Sequence, residues 1–415
     1  MVRKLNIKTS LAIIDQSLFS VSNFLVALLF ARANTIELFG IFSILMTVVI
    51  AIILVQYSLI TQPHNIIAGK FNNKKGRYFH YQTKLLWNFQ VFFIFILCAT
   101  LLIVYTIVSL LSLINIEIYS VIIFVLFVVF RLIFEFMRRV FYSSNDLKRV
   151  FVIGLVFNSF LIGGGGIEYL TDSITINNLM LVFLFSSVFA SIVGYKIGQN
   201  KNVFGVELKY IYRGAYKSWD TGKWILGSNF VMFFSNRAYI FIVLALTSST
   251  TVGVYAAMLN IINIFNPLML TISNYYMPLA SREATKGSVP FNKLIFKIHS
   301  LILPILLLVM LLVSAFSYEL LYYLYGEKYS EHYLLLRYFS VVILIVYLSN
   351  IYQLCLKSYG NTISVFYSSL ISLFFILTFG LYFVKTYFLD GVIFVQIVAL
   401  LVSVGALKWF WLRTR

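Results

Sequence analysis

Three arginines stand inside apolar stretches of this chain: Arg131, Arg237 and Arg337. At mid-bilayer an ionisable side chain costs roughly 2.5–3.5 kcal/mol on insertion scales, so each of them asks for a partner or a role. A guanidinium keeps its charge when partly dehydrated and grips phosphate or carboxylate oxygens with paired N–H groups. The chemistry to expect is capture of an anion rather than bond-making. Arg32, at the outer end of the first apolar stretch, completes the set. Arg237 has no acidic residue within a helical turn, which favours an anion-facing role. Arg131 has Glu135 four residues on, the spacing of a helical ion pair, so pairing and anion binding stand as even readings there. Arg32 and Arg337 can also snorkel to headgroups.

Polar residues accompany these cations. Asn260, Asn263, Pro267 and Asn274 share one helical face, Gln16, Ser20 and Asn23 share another, and Asn236 adjoins Arg237. Such stripes suit a hydrated path contacting hydroxyl groups, and Asn23, Asn236, Asn260 and Asn263 are the candidate contacts. The competing reading is helix–helix glue, worth about 0.6 kcal/mol per bond on average. Asp15 and Glu135 are the acidic candidates for coupling to protons or cations. For Asp15 a charge at the membrane interface near Lys8 is the favoured reading, and for Glu135 pairing with Arg131. Cys98, Cys355 and four scattered histidines show no metal-ligand spacing. The run Gly163 to Gly166 lacks the Lys-Ser/Thr ending of a phosphate loop and reads as a broken or unwound helix end. No catalytic residue, metal or cofactor is expected.

The elements that must position these groups are membrane spans. Hydrophobic residues make up 61% of the 415, charged residues only 11%, and mean hydropathy is +0.93. A soluble domain keeps roughly a quarter of its residues charged. Apolar runs here match the ~30 Å hydrocarbon core. Twelve spans are expected, near 10–32, 38–62, 84–111, 116–142, 149–170, 177–198, 224–247, 252–278, 291–318, 333–356, 361–386 and 389–412. With both termini inside, 26 of the 32 Lys and Arg fall in cytoplasmic segments, as the positive-inside rule requires. The net charge of +18 therefore reflects loops. It includes no basic arm of the kind that tracks nucleic acid. The stretch 199–223 mixes basic residues with Tyr210, Tyr212, Tyr216 and Trp219, which suits a helix on an anionic leaflet or a solvated connector.

The chain also repeats itself at a shift of 213 residues. Ser22-Asn23 falls on Ser235-Asn236, and Phe39-Gly40-Ile41-Phe42 on Val252-Gly253-Val254-Tyr255. With slight drift, Pro63 approaches Pro278 and Asn145-Asp146 approaches Gly360-Asn361. An all-α polytopic protein of two parallel six-helix halves follows, 1–198 and 224–415, joined by the basic linker 199–223. Repeats of this kind typify alternating-access carriers.

The segment Glu37-Leu38-Phe39-Gly40-Ile41-Phe42 resembles the E-x-x-G-x-[FY] region of polysaccharide transporters, and Tyr325-Gly326-Glu327-Lys328-Tyr329 resembles their Y-G-x-x-Y segment. Over its whole length the chain is similar to Wzx-type flippases of the multidrug/oligosaccharidyl-lipid/polysaccharide exporter superfamily. The resemblance implies a bacterial inner-membrane flippase for undecaprenyl-pyrophosphate-linked oligosaccharide, an O-antigen or capsule unit. Its partners would be membrane lipids and polymerase or chain-length proteins of the same pathway. The arginines would then line a vestibule facing pyrophosphate. A lipid II-type flippase is the near alternative. A membrane polymerase or glycosyltransferase would want a longer external loop, and an exporter of cationic drugs an acidic interior.

Overall fold

The computed structural model describes residues 7–64, 77–110, 117–144, 146–198, 206–265, 269 and 276–414. They form helices and, among the described residues, no strand. Apolar runs become helices here because a bilayer offers backbone N–H and C=O groups no water, so each segment must satisfy them internally.

Helices α1 (Ile7–Ala33), α2 (Ile36–Gln56), α3 (Arg77–Leu110), α4 (Ile118–Ser143), α5 (Leu147–Leu170), α6 (Ile176–Ile197) and α7 (Leu208–Leu246) come first. Then follow α8 (Ser249–Asn263), α9 (Met277–Ala284), α10 (Ser288–Ala315), α11 (Ser317–Tyr325), α12 (Glu327–Ser330), α13 (Tyr333–Phe339), α14 (Val342–Ser358), α15 (Thr362–Phe375) and α16 (Leu381–Thr414). Single π-helical turns extend α2 over Tyr57–Thr61 and join α15 to α16 over Ile376–Gly380. Nine helical stretches among the described residues are long and apolar enough to cross a membrane, ten if the bent α7 counts as one. The stretch Thr362–Thr414 turns back on itself at Phe388 (φ 49°), and Ser372 Oγ donates to Ala399 O at 3.2 Å across the resulting hairpin. It carries the apolar segments expected at 361–386 and 389–412. Residues 266–268 and 270–275 of the expected span at 252–278, with Pro267 and Asn274, lie outside the described residues.

The chain divides into two units. The first comprises residues 1–29 and 48–229. Here α4 and α6 pack along each other and α5 against α6, while Ile60, Leu86, Trp87 and Phe136 form a buried cluster. The described part of the expected linker is the first half of the 39-residue α7. Gly214 and Gly222 let it approach the backbone of Leu85 and Ser58, with Ser218 buried between them. Lys217 donates to Gln82 at 2.6 Å. Glu207 pairs with Lys84 and with Lys209, and hydrogen bonds from those two ammonium groups hold its carboxyl below the usual carboxylate range. The opposite face, Leu208, Tyr212, Tyr216 and Trp219, is exposed.

The second unit comprises 30–47 and 230–415. Equivalent local features recur in both units. Ser22 donates to Leu18 O and Ser235 to Val231 O, at the same 213-residue shift. Asp146 caps α5 by accepting from Arg149 N at 3.4 Å, and Asn361 caps α15 by accepting from Ser364 N at 3.2 Å.

The glycine run overturns one expectation. Helix α5 continues unbroken through Gly163 to Gly166. Breaking it inside the bilayer would strand backbone groups, and the glycines serve packing instead: Val182 and Val26 occupy the space beside Gly164 and Gly165, whereas Gly163 and Gly166 face open space. Gly163→Ala and Gly166→Ala should therefore each stabilise the helix by up to about 1 kcal/mol. Gly164→Ala, whose new Cβ would meet Val182 at 2.8 Å, should lower the Tm of detergent-solubilised protein.

Candidate functional site

Helix α4 carries Arg131, Glu135, Arg138 and Tyr142 at spacings of four, three and four, so all four share one face. Arg131 pairs with Glu135 at 2.9 Å. Arg138 pairs with Asp15 of α1, both nearly sealed from solvent, and Tyr142 donates to the same carboxylate oxygen at 2.8 Å. The other oxygen, Oδ1, accepts no hydrogen bond among the described residues. It occupies the space that a Cβ on Gly154 of α5 would need, so that glycine gives the carboxylate its place. Asp15 is thus buried in the first unit and paired with Arg138.

Aromatic rings wall this chain of charges. Phe19, Phe134 and Phe157 lie near parallel, with centroids 4.9–6.0 Å apart. Arg131 sits 4.6 Å from the Phe157 centroid and Arg138 3.9 Å from that of Phe19. Ring faces attract cations and offer no acceptor that would compete with the carboxylates.

Arg139 takes the neighbouring face. Its guanidinium lies 5.2 Å from the Tyr57 ring centroid and makes no ion pair among the described residues. It opens with Glu135 onto a cavity of about 260 Å³. Gln56, Tyr57, Thr61 and Asn229 supply the other polar lining, and Ile50, Ile53 and Leu54 an apolar wall. The π-helical turn Tyr57–Thr61 puts Tyr57 and Thr61 on that wall, and such turns often mark functional positions. Gln56 is fixed by donating to Leu132 O at 2.6 Å and to Gln90 Oε1 at 3.0 Å. Three arginines meet two carboxylates here, leaving one positive charge in excess beside hydroxyl and amide groups. Such a site can hold an anionic group and hydrogen-bond polyols.

Helix α7 bends by 51° between Gly222–Ser235 and Tyr239–Leu246, and Arg237 stands in the bend. It forms no hydrogen bond or ion pair among the described residues, with Tyr255 within electrostatic range. Tyr255 is fully buried and donates to Gln396 Oε1 at 2.6 Å, and Tyr239 packs beside it at 6.5 Å between centroids. The side chain of Asn236 lies outside the described residues.

The remaining candidates disperse. Arg32 donates to Tyr323 O at 3.3 Å and Arg337 to Ser314 O at 3.2 Å, both exposed. Asn23 donates back to Phe19 O of its own helix at 2.7 Å. Asn260 lies beside the Tyr325 hydroxyl, and Asn263 is half-buried. Among the described residues no group of His, Cys, Asp and Glu is placed to hold a metal ion. Neither Arg138 nor Arg139 was among the expected site residues, although both fall in the span expected at 116–142; the regular spacing from Arg131 to Tyr142 was the available signal.

No family profile matches this sequence and no curated protein matches it. Solved structures do. An inward-facing multidrug resistance MATE transporter of the MOP superfamily aligns at a TM-score of 0.73, 14% identity, over 95% of this chain and 94% of its own. The lipid II flippase MurJ, in an inward closed conformation, aligns at 0.72 and 13% identity over 95% and 86%. A MOP-superfamily transporter from Pyrococcus furiosus, described by a binding pocket of reverse polarity, aligns at 0.64 and 12% identity over 98% and 96%. The fold is that of MOP-superfamily transporters.

Proposed function

We propose that this chain is a flippase that moves an anionic, lipid-linked oligosaccharide, of the undecaprenyl-pyrophosphate class, from the inner to the outer leaflet of a bacterial cytoplasmic membrane by alternating access. The observation that carries the reading is Arg139, a guanidinium that forms no ion pair among the described residues, in a cavity it shares with Glu135, Gln56, Tyr57, Thr61 and Asn229 and an apolar wall of Ile50, Ile53 and Leu54. Pyrophosphate suits the cation, sugar hydroxyls suit the amides and hydroxyls, and a lipid tail needs only the surrounding bilayer. Arg237 is a second free cation on the same logic. The excess of positive charge disfavours a cationic drug as cargo, and the MurJ likeness supports the polyprenyl-linked class through fold alone. In this reading Glu135, on the cavity wall, and Asp15, behind it, are the coupling carboxylates. The exposed aromatic face of α7 rests on lipid.

The test is leaflet exchange of a labelled undecaprenyl-pyrophosphate oligosaccharide in proteoliposomes at matched protein insertion. Arg139→Ala and Arg237→Ala should each lower the rate by about 10- to 100-fold, the loss of one charge-assisted contact worth 1.5–3 kcal/mol. Arg337→Ala should change it little. Exchange indifferent to both would remove these residues from the path, and absence of exchange with several glycans would remove the cargo assignment.

A further inference from the structure

The first unit keeps two carboxylates inside its spans, Asp15 and Glu135. In the second unit Glu37, Glu283, Glu319, Glu327, Glu331 and Asp390 all stand at helix ends or beside the turn at Phe388. What the second unit does hold at mid-span is an imidazole. His299 is the twelfth of the 28 residues of α10, about 16 Å along the helix from Ser288. Its partner, Tyr347 of α14, is the fifteenth of the 26 residues of the span Tyr333–Ser358. An ionisable group at such depth is costly to place and points to a proton or ion path. Histidine is the side chain whose ordinary titration range lies nearest neutrality.

Nδ1 of His299 and the Tyr347 hydroxyl lie 2.8 Å apart, with the rings edge to face at 5.6 Å between centroids. Tyr347 is fully buried and His299 half-buried. The phenol has no other hydrogen-bond partner among the described residues, so its proton goes to Nδ1. The neutral ring then carries its own proton on Nε2, a tautomer assigned from this bond. A second proton can add only at Nδ1. Nδ1–H must then donate to the phenol oxygen, and the phenol proton is left buried without an acceptor, which is unfavourable. Parting α10 from α14 relieves that cost.

Helix α10 yields at this point. Pro304 lies inside it, so the carbonyl of Ser300, next to His299, receives no N–H from four residues on, and helices bend at such places. Among the described residues no ion pair reaches the ring. Glu283 of α9 pairs with Lys286, Arg337 of α13 donates to Ser314 O and Lys357 of α14 to Gln353 Oε1. Arg282 of α9, Glu319 of α11, and Lys293 and Lys297 of α10 itself are exposed. Lys297, two residues back, does not share the face of His299.

We propose that His299 binds and releases a proton in each transport cycle, and that Tyr347 converts the binding into movement of α10 on α14. The inference rests on the transporter reading above and adds a proton site in the second unit to the carboxylates of the first. The proton leaves water on one side of the membrane and adds to Nδ1 as the Tyr347 bond is given up. It returns to water on the other side as the bond re-forms.

The site is measured first without cargo. Exchange of the imidazole C2 hydrogen for deuterium, read by mass spectrometry on the reconstituted protein, gives the titration midpoint of each histidine. His299 should titrate between about pH 5 and 8, and Tyr347→Phe should move its midpoint by about half to one pH unit, the worth of one hydrogen bond. Leaflet exchange of the labelled glycolipid should rise about tenfold from one pH unit above that midpoint to one below it, as the protonated fraction does. His299→Gln, which still accepts from Tyr347, should exchange at a rate that ignores pH in this window. Tyr347→Phe should keep the titration and lose the response. A His299 that does not titrate between about pH 4.5 and 8.5, or an acid response that survives in His299→Gln, overturns the proposal. A midpoint that moves in Tyr347→Phe while the glycolipid never moves upholds the proton site and sinks the cargo assignment instead.

Discussion

Arg138→Leu is expected to destabilise the protein by about 3–5 kcal/mol, the cost of stranding a buried charge when its partner is removed. The stranded group is the Asp15 carboxylate, which is 1% exposed and would keep only the Tyr142 hydroxyl. Asp15→Asn should cost a similar amount, leaving the Arg138 guanidinium without its carboxylate. The double variant Asp15→Asn, Arg138→Leu should recover most of the loss, because replacing both members of a buried pair is often nearly neutral. Tm of the detergent-solubilised proteins measures this directly. Additive losses in the double variant would mean that the two side chains stabilise the fold independently. Because Glu135, paired with Arg131, also lies within electrostatic range of Arg138, Glu135→Gln should interact with Arg138→Leu rather than add to it.

The second large effect is expected where α2 crosses α8, since the 213-residue shift sets Ile36 and Gly40 on Ser249 and Gly253 and the contact is the same from both sides. Gly253→Val must displace the Ile36 carbonyl and Gly40→Val the Ser249 carbonyl. Overpacking a tight contact costs typically about 1–3 kcal/mol, and here the obstacle is backbone, which cannot rotate aside. The reciprocal geometry makes a sharper claim than size alone: the two variants should lose Tm to similar extents, and combining them should cost less than their sum, since either one already separates α2 from α8. Ser249→Ala, which removes the hydroxyl bond to Glu37 and leaves the crossing intact, should shift Tm far less. A Gly40→Val protein as stable as Ser249→Ala would mean that the helices part here without penalty.

Much of the architecture was legible without coordinates. Sparse charge and long apolar runs dictated a bundle of membrane helices, because the bilayer removes every alternative way to satisfy the backbone. The Arg131–Glu135 pair could be read from its spacing, since four residues is one turn and no other helix is needed to bring the groups together. The repeat set Gly40 on Gly253 at a shift of 213 and, with slight drift, Asp146 near Asn361; the two glycines make reciprocal backbone contacts and the two polar residues both cap helices. Local periodicity is written in the chain itself.

What tertiary structure alone decided are the meetings across distance. Arg138 finds Asp15 123 residues away, and Lys328 finds Asn34 294 residues away. Arg138 turns inward to a carboxylate while Arg139, one residue on, faces the cavity. The glycine run read as a broken end proved to be a continuous helix with valines against two of its members. The reason is common to all of these. In water a helix advertises its buried face by being polar on the other, but a span in lipid is apolar nearly all round. Its sequence therefore says that it is a helix, and leaves to packing the question of which neighbour it meets.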